Sequence, residues 1–97
     1  MLFDTFKKAV FRKKVIDAIA FKIADYQRKA DIAYYNNNDA ETSGNLLNLV
    51  FPLKQISQKL DIEHEVYEKA YGIYDFRNSG REGYILKNGK IVKKGWK

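Results

Sequence analysis

The chain has 97 residues, of which 45% are hydrophobic and 14% aromatic, a composition that suits a single folded domain with a modest core. It contains no cysteine, which excludes disulfide frameworks, cysteine-ligated zinc sites and thiol nucleophiles. The net charge of +6 is unevenly distributed: residues 1–30 carry +5, residues 31–76 carry −5 and residues 77–97 carry +6. Basic ends flank an acidic middle, a pattern that bears on partners rather than on fold.

The N-terminal sequence MLFDTFKKAVFRKK is interrupted by charges and has no small-residue cleavage site, so we predict no signal peptide. No stretch of about 18 uncharged apolar residues occurs that could span a membrane. The lack of cysteine fits a reducing compartment. We therefore expect a cytoplasmic protein.

Residues 15–35 have the clearest helical periodicity in the chain. Their apolar side chains fall on one helical face and their charged side chains on the other. Three consecutive asparagines, Asn36 to Asn38, favour a turn, so the predicted helix ends there. The apolar positions of this face are Val15, Ile16, Ile19, Ala20, Ile23, Tyr26, Ala30, Ala33 and Tyr34.

The apolar residues before this helix, Leu2, Phe6, Ala9 and Val10, share a face that is turned about a quarter-circle from the later one. This shift leaves two alternatives: a short separate N-terminal helix, or one helix that serves two partners along its length. Phe11 and Phe21 lie off the main face, and we expect them to make satellite contacts or to contribute to a partner surface.

The middle of the chain begins with a polar, turn-rich stretch, residues 36–45, which predicts a connection between helices. Residues 46–60 again have helical spacing, interrupted by Pro52, which either kinks one helix or begins a second. Asp61 is placed to cap a further helix, and Gly72 is placed to end it.

The last quarter of the chain changes to strand-like composition. An Asn-Gly pair at 88–89 lies between two short apolar runs, the strongest local signal for a β-hairpin. A two-residue turn there pairs Lys87 with Lys90, Leu86 with Ile91 and Ile85 with Val92.

These elements predict one α+β domain that is mainly helical, with a long N-terminal helix, two or three shorter helices and a C-terminal antiparallel hairpin. The domain comprises a basic helical segment (1–35), a polar connection (36–45), an acidic helical segment (46–72) and a basic hairpin tail (73–97).

Enzymatic function has little support in the sequence. The one histidine, His64, is flanked by Glu63 and Glu65, which point away from it on a helix, and only Glu68 shares its face. One histidine and one carboxylate make at most half of a metal site, and no glycine-rich phosphate loop is present. We therefore predict a protein that is not an enzyme, with no cofactor and no metal.

Residues 52–94 resemble a helix-turn-helix followed by the basic wing of winged-helix domains, with Ile56, Ser57, Leu60 and Ile62 at the expected spacing. Two features depart from that pattern. The turn residue is Asp61 rather than glycine, and the second helix carries three glutamates, which phosphates would repel. The resemblance thus implies that basic elements other than this helix contact nucleic acid.

The two basic ends are the candidate nucleic-acid site, because lysines interleaved with an aromatic side chain suit phosphate contact and base stacking. A solvated, edge-protecting hairpin is the alternative for the tail. The candidate site residues are Lys87, Lys90, Lys93, Lys94, Trp96, Lys97, Arg81, Arg12, Lys13 and Lys14.

A second function, a small modulator or inhibitor that docks on a larger protein, would use tyrosines as contact residues. The candidates are Tyr34, Tyr35, Tyr67, Tyr71 and Tyr74. A third, reversible association of the N-terminal segment with a membrane surface, ranks behind these two. The partner is therefore expected to be nucleic acid or a protein.

Overall fold

The computed structural model describes residues 2–79, 84–88 and 90–93, and it confirms the mainly helical α+β fold. The helices are α1 (Leu2–Asp31), which passes into one π-helical turn (Ile32–Asn36), α2 (Ala40–Lys59) and α3 (Glu63–Ile73). A two-stranded antiparallel sheet follows, formed by β1 (Tyr84–Lys87) and β2 (Lys90–Lys93).

α1 is one continuous helix, so of the two alternatives for the N-terminal segment the single helix is correct. Neither glycine nor proline occurs before Gly44, and nothing in the local sequence interrupts the helical hydrogen bonds. The quarter-circle shift of the apolar face instead coincides with the change from exposed to buried side chains along α1. From residue 7 onward, where the side chains are described, Ile16 is the first buried residue of α1, and residues 7–14 are all exposed.

The asparagine run ends the first helix, as predicted. The backbone N–H of Asn37 donates to the carbonyl of Ile32 at 3.1 Å, which closes the π-helical turn. Asn38 then adopts a left-handed conformation with φ of 52°, which asparagine tolerates better than most residues.

α2 begins at Ala40, within the stretch 36–45 that was predicted to be a connection, and that prediction is wrong for its second half. Asp39 is the reason. Its carboxylate accepts hydrogen bonds from the backbone N–H of Thr42 at 3.0 Å and from the Thr42 hydroxyl at 2.6 Å. These bonds cap the first turn of α2 and hold the pKa of Asp39 below its usual range.

Pro52 lies inside α2, so the helix continues through it and no second helix begins there. Proline removes the N–H that would otherwise bond to the carbonyl of Asn48. Both Asn48 and Pro52 are exposed, so that carbonyl is available to water.

The prediction that Asp61 caps α3 is also wrong: Asp61 instead closes the end of α2 in a Schellman motif. Its φ is 57°, and its backbone N–H donates to the carbonyl of Gln58 at 3.1 Å. The N–H of the buried Ile62 donates to the carbonyl of Ser57 at 3.0 Å. Those two bonds and the apolar residue that follows define the motif.

α3 ends at Ile73, one residue beyond Gly72, where the helix was predicted to end. The N–H of Tyr74 still donates to the carbonyl of Ala70 at 2.9 Å, but Tyr74 itself is extended. The chain leaves the helix at this point.

The core lies where α2 and α3 pack against the same half of α1. Ile23 and Val66 are fully buried, and burying side chains of this size contributes about 1.5–3 kcal/mol each. Ala20 and Ala24 are fully buried too, and their small side chains let the neighbouring helices approach closely. The buried cluster consists of Ile16, Ala20, Ile23, Ala24, Val50, Ile62, Val66, Ala70, Tyr74 and Phe76.

A buried carboxylate at the end of α1 holds the segment that follows α3. Asp31 is only 3% exposed, and it accepts hydrogen bonds from the hydroxyl of Tyr74 at 2.7 Å and from the hydroxyl of Ser79. Burial raises the pKa of Asp31, although both hydrogen bonds oppose that change. The burial of Tyr74 itself, and then its hydrogen bond to Asp31, raise the pKa of the Tyr74 hydroxyl.

The hairpin has the predicted register, with Ile85 opposite Val92, Leu86 opposite Ile91 and Lys87 opposite Lys90. Asn88 has a φ of 51°, as a type I′ turn requires at its first central position. Gly89, the second central residue, lies outside the described residues.

Asp61 offers a direct test of the Schellman motif. We expect Asp61→Gly to raise the free energy of unfolding by up to about 1 kcal/mol, because glycine adopts a positive φ without a steric cost. Asp61→Val should lower it by roughly 1–2 kcal/mol, since its Cβ clashes in that conformation. Urea unfolding measures both changes. A loss of stability in Asp61→Gly would indicate a capping role for the carboxylate instead.

Asp31→Asn should change the pH dependence of stability. Because its native pKa is raised, wild-type Asp31 binds its proton more tightly in the folded state. Its contribution to stability is therefore fully present below the ordinary aspartate pKa of about 3.9 and is lost as the pH rises through the raised value. Asparagine has no such proton to lose, so the variant should gain stability relative to wild type over this interval.

Urea unfolding of both proteins at a series of pH values tests this expectation. Three other carboxyl groups have lowered pKa values and therefore an opposite effect on the pH dependence of stability: Asp39, Glu65 and Asp75. Both proteins contain them, so their effect cancels when the unfolding free energies of wild type and variant are subtracted. A difference in unfolding free energy that does not vary with pH would contradict the prediction.

Candidate nucleic-acid interface

Residues 7–14 of α1 form a surface that we call the basic arm. All eight of these residues are exposed, five of them are cationic, and no acidic residue lies between Asp4 and Asp17. The arm spans about 12 Å at 1.5 Å per residue. Its cations are Lys7, Lys8, Arg12, Lys13 and Lys14.

Arg12 connects the arm to α3. Its Nη2 atom lies 2.8 Å from Oε1 of Glu65, and both side chains are about half exposed. The hydrogen bond from Arg12 holds the pKa of Glu65 below its usual range. Of the three arm residues in the predicted site, Arg12 is thus engaged within the protein, whereas Lys13 and Lys14 extend into solvent.

The hairpin carries the second group of cations. Lys87, Lys90 and Lys93 are all exposed, and Lys87 and Lys90 lie opposite each other beside the turn. The other predicted tail residues, Arg81, Lys94, Trp96 and Lys97, lie outside the described residues. The described part of the hairpin therefore has the exposed lysines that phosphate contact requires, and an edge-protecting role would require them equally.

The structure does not bring the two basic groups together. β1 contacts the π-helical turn at the C-terminal end of α1, and Lys90 and Ile91 line a cavity with residues at the end of α3. The basic arm lies at the other end of α1. Twenty residues of helix separate Arg12 from Ile32, which corresponds to about 30 Å.

α3 forms an acidic surface beside the arm. Glu63, Glu65 and Glu68 lie on it together with the exposed His64. Among the described residues no group of three histidine, cysteine or acidic side chains could hold a metal ion. Since α3 would repel phosphates, it is unsuited to lie in the major groove, although α2, α3 and the hairpin follow one another in the order of a winged helix.

A small cavity of about 230 Å³ opens beside the buried carboxylate of Asp31. Tyr34, Tyr35, Ser43 and Leu47 contribute to its lining. The hydroxyl groups of Tyr74 and Ser79 already donate to both carboxylate oxygens, which accounts for the burial of Asp31 as a structural group.

The tyrosines proposed as protein contacts are largely structural. Tyr74 is buried, Tyr67 and Tyr71 pack against the core, and Tyr34 is 50% exposed. Phe11 and Phe21 are more accessible than any of these, at 69% and 59% exposed.

Lys7, Lys8 and Phe11 were not predicted to share one surface with Arg12, Lys13 and Lys14. The signal was present in the sequence: the phase of the apolar pattern shifts before Ile16, where the buried part of α1 begins. Read as a single helix, that shift predicts that residues 7–14 lie outside the buried part of α1.

Comparisons with protein-family models, with curated protein sequences and with solved structures returned no match for this chain. Within the part of the chain that the structure describes, none of the helices has the length and apolar character needed to cross a membrane. The fold and the charged surfaces define the class as a small α+β protein, and its function has to be argued from those surfaces.

Proposed function

We propose that this protein is a small, non-enzymatic regulator that binds nucleic acid, contacting phosphates through its basic ends. The basic arm is the observation that carries the proposal. A helix that is exposed on every side and carries five cations in eight residues can lie along a phosphate backbone or enter a groove. Phe11, also exposed in the arm, offers an aromatic face for an unpaired base.

The acidic surface of α3 supports a defined orientation of the bound nucleic acid relative to the protein. Positive potential at the arm attracts the nucleic acid, and the glutamates of α3 repel it from the adjoining face. Glu65 also competes with phosphate for Arg12, since the two side chains form an ion pair of 2.8 Å. Binding therefore involves the lysines of the arm first.

The lysines of the hairpin form the second contact. The helix from Arg12 to Ile32, which begins the turn that β1 contacts, is about 30 Å long, and this length corresponds to roughly nine base-pair steps of 3.4 Å in duplex DNA. A duplex of this length or longer can reach both groups, and a shorter one reaches only one of them. Affinity should consequently rise with duplex length up to this point and then increase only slowly.

The combined change Lys8→Ala, Lys13→Ala and Lys14→Ala should weaken binding to every mixed-sequence duplex. Removing one lysine–phosphate pair reduces the slope of log K against log salt by about 0.9, so the slope should fall by up to roughly 2.7. Lys87→Ala, Lys90→Ala and Lys93→Ala should act similarly, but only on duplexes long enough to span both groups. Fluorescence anisotropy in a salt titration measures the slopes.

A matched control removes three lysines that are engaged within the protein. Lys29 pairs with Asp25 at 3.0 Å, Lys69 lies 3.9 Å from Asp17, and Lys54 lies over the ring of Tyr67. Their combined replacement by alanine changes the net charge equally and should leave most of the binding intact. Equal weakening in the control and arm variants would contradict the proposed site. Absence of salt-dependent binding to DNA or RNA by the wild type would overturn the function.

Glu65→Gln should strengthen binding, because it releases Arg12 for a phosphate contact. We expect higher affinity and a salt slope steeper by about 0.9 in the same anisotropy titration. Glu68→Gln is the control, since it changes the charge of the same helix equally and the Arg12 ion pair is with Glu65. If the two variants bind alike, net charge alone explains the effect and Arg12 takes no part.

The alternative function, a modulator that docks on a larger protein, is favoured by one observation. Several large apolar side chains of α2 and its C-cap remain about half exposed, among them Leu49, Phe51 and the C-cap residue Leu60. This alternative can be tested with the triple-lysine variants of the arm and the hairpin. It is supported if both variants still bind a protein partner with normal affinity.

A further inference from the structure

The outer side of α2 is almost free of charge. Residues 42–58 include one charged side chain, Lys54, in a chain that is 31% charged. Lys54 is partly buried and lies over the ring of Tyr67, 5.9 Å from its centroid. The surface between Glu41 and Lys59 is therefore neutral, in contrast to the basic and acidic surfaces of α1 and α3.

A regular apolar row runs along this helix, which we call the leucine face: Leu46, Leu49, Leu53, Ile56 and Leu60. Its members alternate at spacings of three and four residues, the heptad pattern by which one helix packs against another. Leu49, Ile56 and Leu60 are 50%, 44% and 54% exposed, and Leu46 and Leu53 are partly buried.

The described elements pack mainly against the neighbouring side of α2, and Leu53 is the member of the leucine face that contacts the core cluster. Ser43, Val50 and Ser57, at spacings of seven residues, are buried toward the core. The leucine face lies beside this buried row. At its C-terminal end Leu60 lines a cavity of about 190 Å³ with Phe11 and Val15, so the apolar surface continues onto α1.

We infer that the leucine face binds a second copy of this chain, with the two α2 helices antiparallel. Two molecules of net charge +6 repel each other unless the surface of contact is uncharged, and the leucine face meets that condition. In a two-fold dimer the same surface meets itself, so any charge at its centre would face a like charge.

The ends of α2 determine the orientation. Glu41 and Lys59 are exposed and eighteen residues apart, which is five full helical turns, so they lie on the same side of the helix. Antiparallel packing brings Glu41 near the partner's Lys59 at both ends of the interface. Parallel packing would instead leave Glu41 and the partner's Lys59 at opposite ends of the interface, and would align the two helix dipoles unfavourably.

Self-association through the leucine face goes beyond nucleic-acid binding and can be tested without nucleic acid. Sedimentation equilibrium from micromolar to millimolar concentration should give twice the mass of one chain. Leu49→Lys combined with Ile56→Lys should weaken the dimer at least about hundredfold, because it places four charges in an apolar interface. Phe21→Lys is the control, since Phe21 is 59% exposed on α1 and should leave the dimer intact.

Charge reversal tests the antiparallel arrangement. Glu41→Lys alone and Lys59→Glu alone should each weaken the dimer about tenfold, since two attractive pairs become repulsive. The two changes together should restore it. Circular dichroism of each variant verifies that α2 remains folded.

A wild-type protein that stays monomeric over the whole range would overturn the inference, and the leucine face would then belong to an interface with a different protein. A dimer that resists Leu49→Lys with Ile56→Lys would also overturn it. Failure of the double charge reversal to restore the dimer would overturn the antiparallel arrangement.

Discussion

The difference in length between α1 and the helices that cover it determines how the surfaces of this protein are arranged. α1 has 30 residues and continues for five more as a π-helical turn, whereas α2 has 20 and α3 has 11. At 1.5 Å per residue, α1 is about 45 Å long and α3 only about 16 Å. The two shorter helices pack on the part of α1 that begins at Ile16, so residues 7–14 remain in solvent.

The far end of α1 is held by polar rather than apolar contacts. Asp31 binds the hydroxyl groups of Tyr74 and Ser79, and these bonds fasten the chain after α3 to the first helix. Burying a carboxylate is unfavourable unless its oxygens are satisfied, and here two hydroxyl groups satisfy them. The hairpin follows this attachment and contacts the adjoining π-helical turn.

The charged and neutral surfaces are thereby kept apart. The basic arm and the hairpin lie at opposite ends of α1, α3 supplies an acidic surface between them, and the outer side of α2 is neutral. The ion pair between Arg12 and Glu65 joins the basic arm to the acidic surface. Binding of a polyanion by the lysines at the ends and self-association through α2 would use different residues, and the two surfaces meet at Phe11, which lies in the basic arm and beside Leu60.

Several features could be predicted from the sequence because they depend on interactions between near neighbours. The Asn-Gly pair specifies the hairpin register through the geometry of a two-residue turn. The asparagine run ends the first helix because asparagine adopts left-handed backbone more readily than most residues. The apolar face of residues 15–35 predicts a long helix through periodicity alone.

The exact starts and ends of the helices depended on which of several possible roles a residue takes, and for these the predictions from sequence were wrong. Asp39 and Asp61 both precede helices, and only the packing decides their roles. Asp39 caps α2, whereas Asp61 takes the left-handed position that lets the buried Ile62 reach the core. A capping residue and a Schellman residue can have the same side chain, so local sequence does not distinguish them.

The sequence by itself determined the long first helix, the register of the hairpin and the division into basic, acidic and basic segments. Only the tertiary structure decided which cations are engaged within the protein and which are exposed to solvent. Arg12 lies 53 residues from Glu65 in the chain and meets it because α3 packs against α1. The leucine face likewise has the periodicity of a core helix, and it remains exposed because α1 and α3 occupy the adjoining side of α2. Periodicity in the sequence indicates that one face of a helix is apolar, whereas the packing of distant segments determines whether another element covers that face.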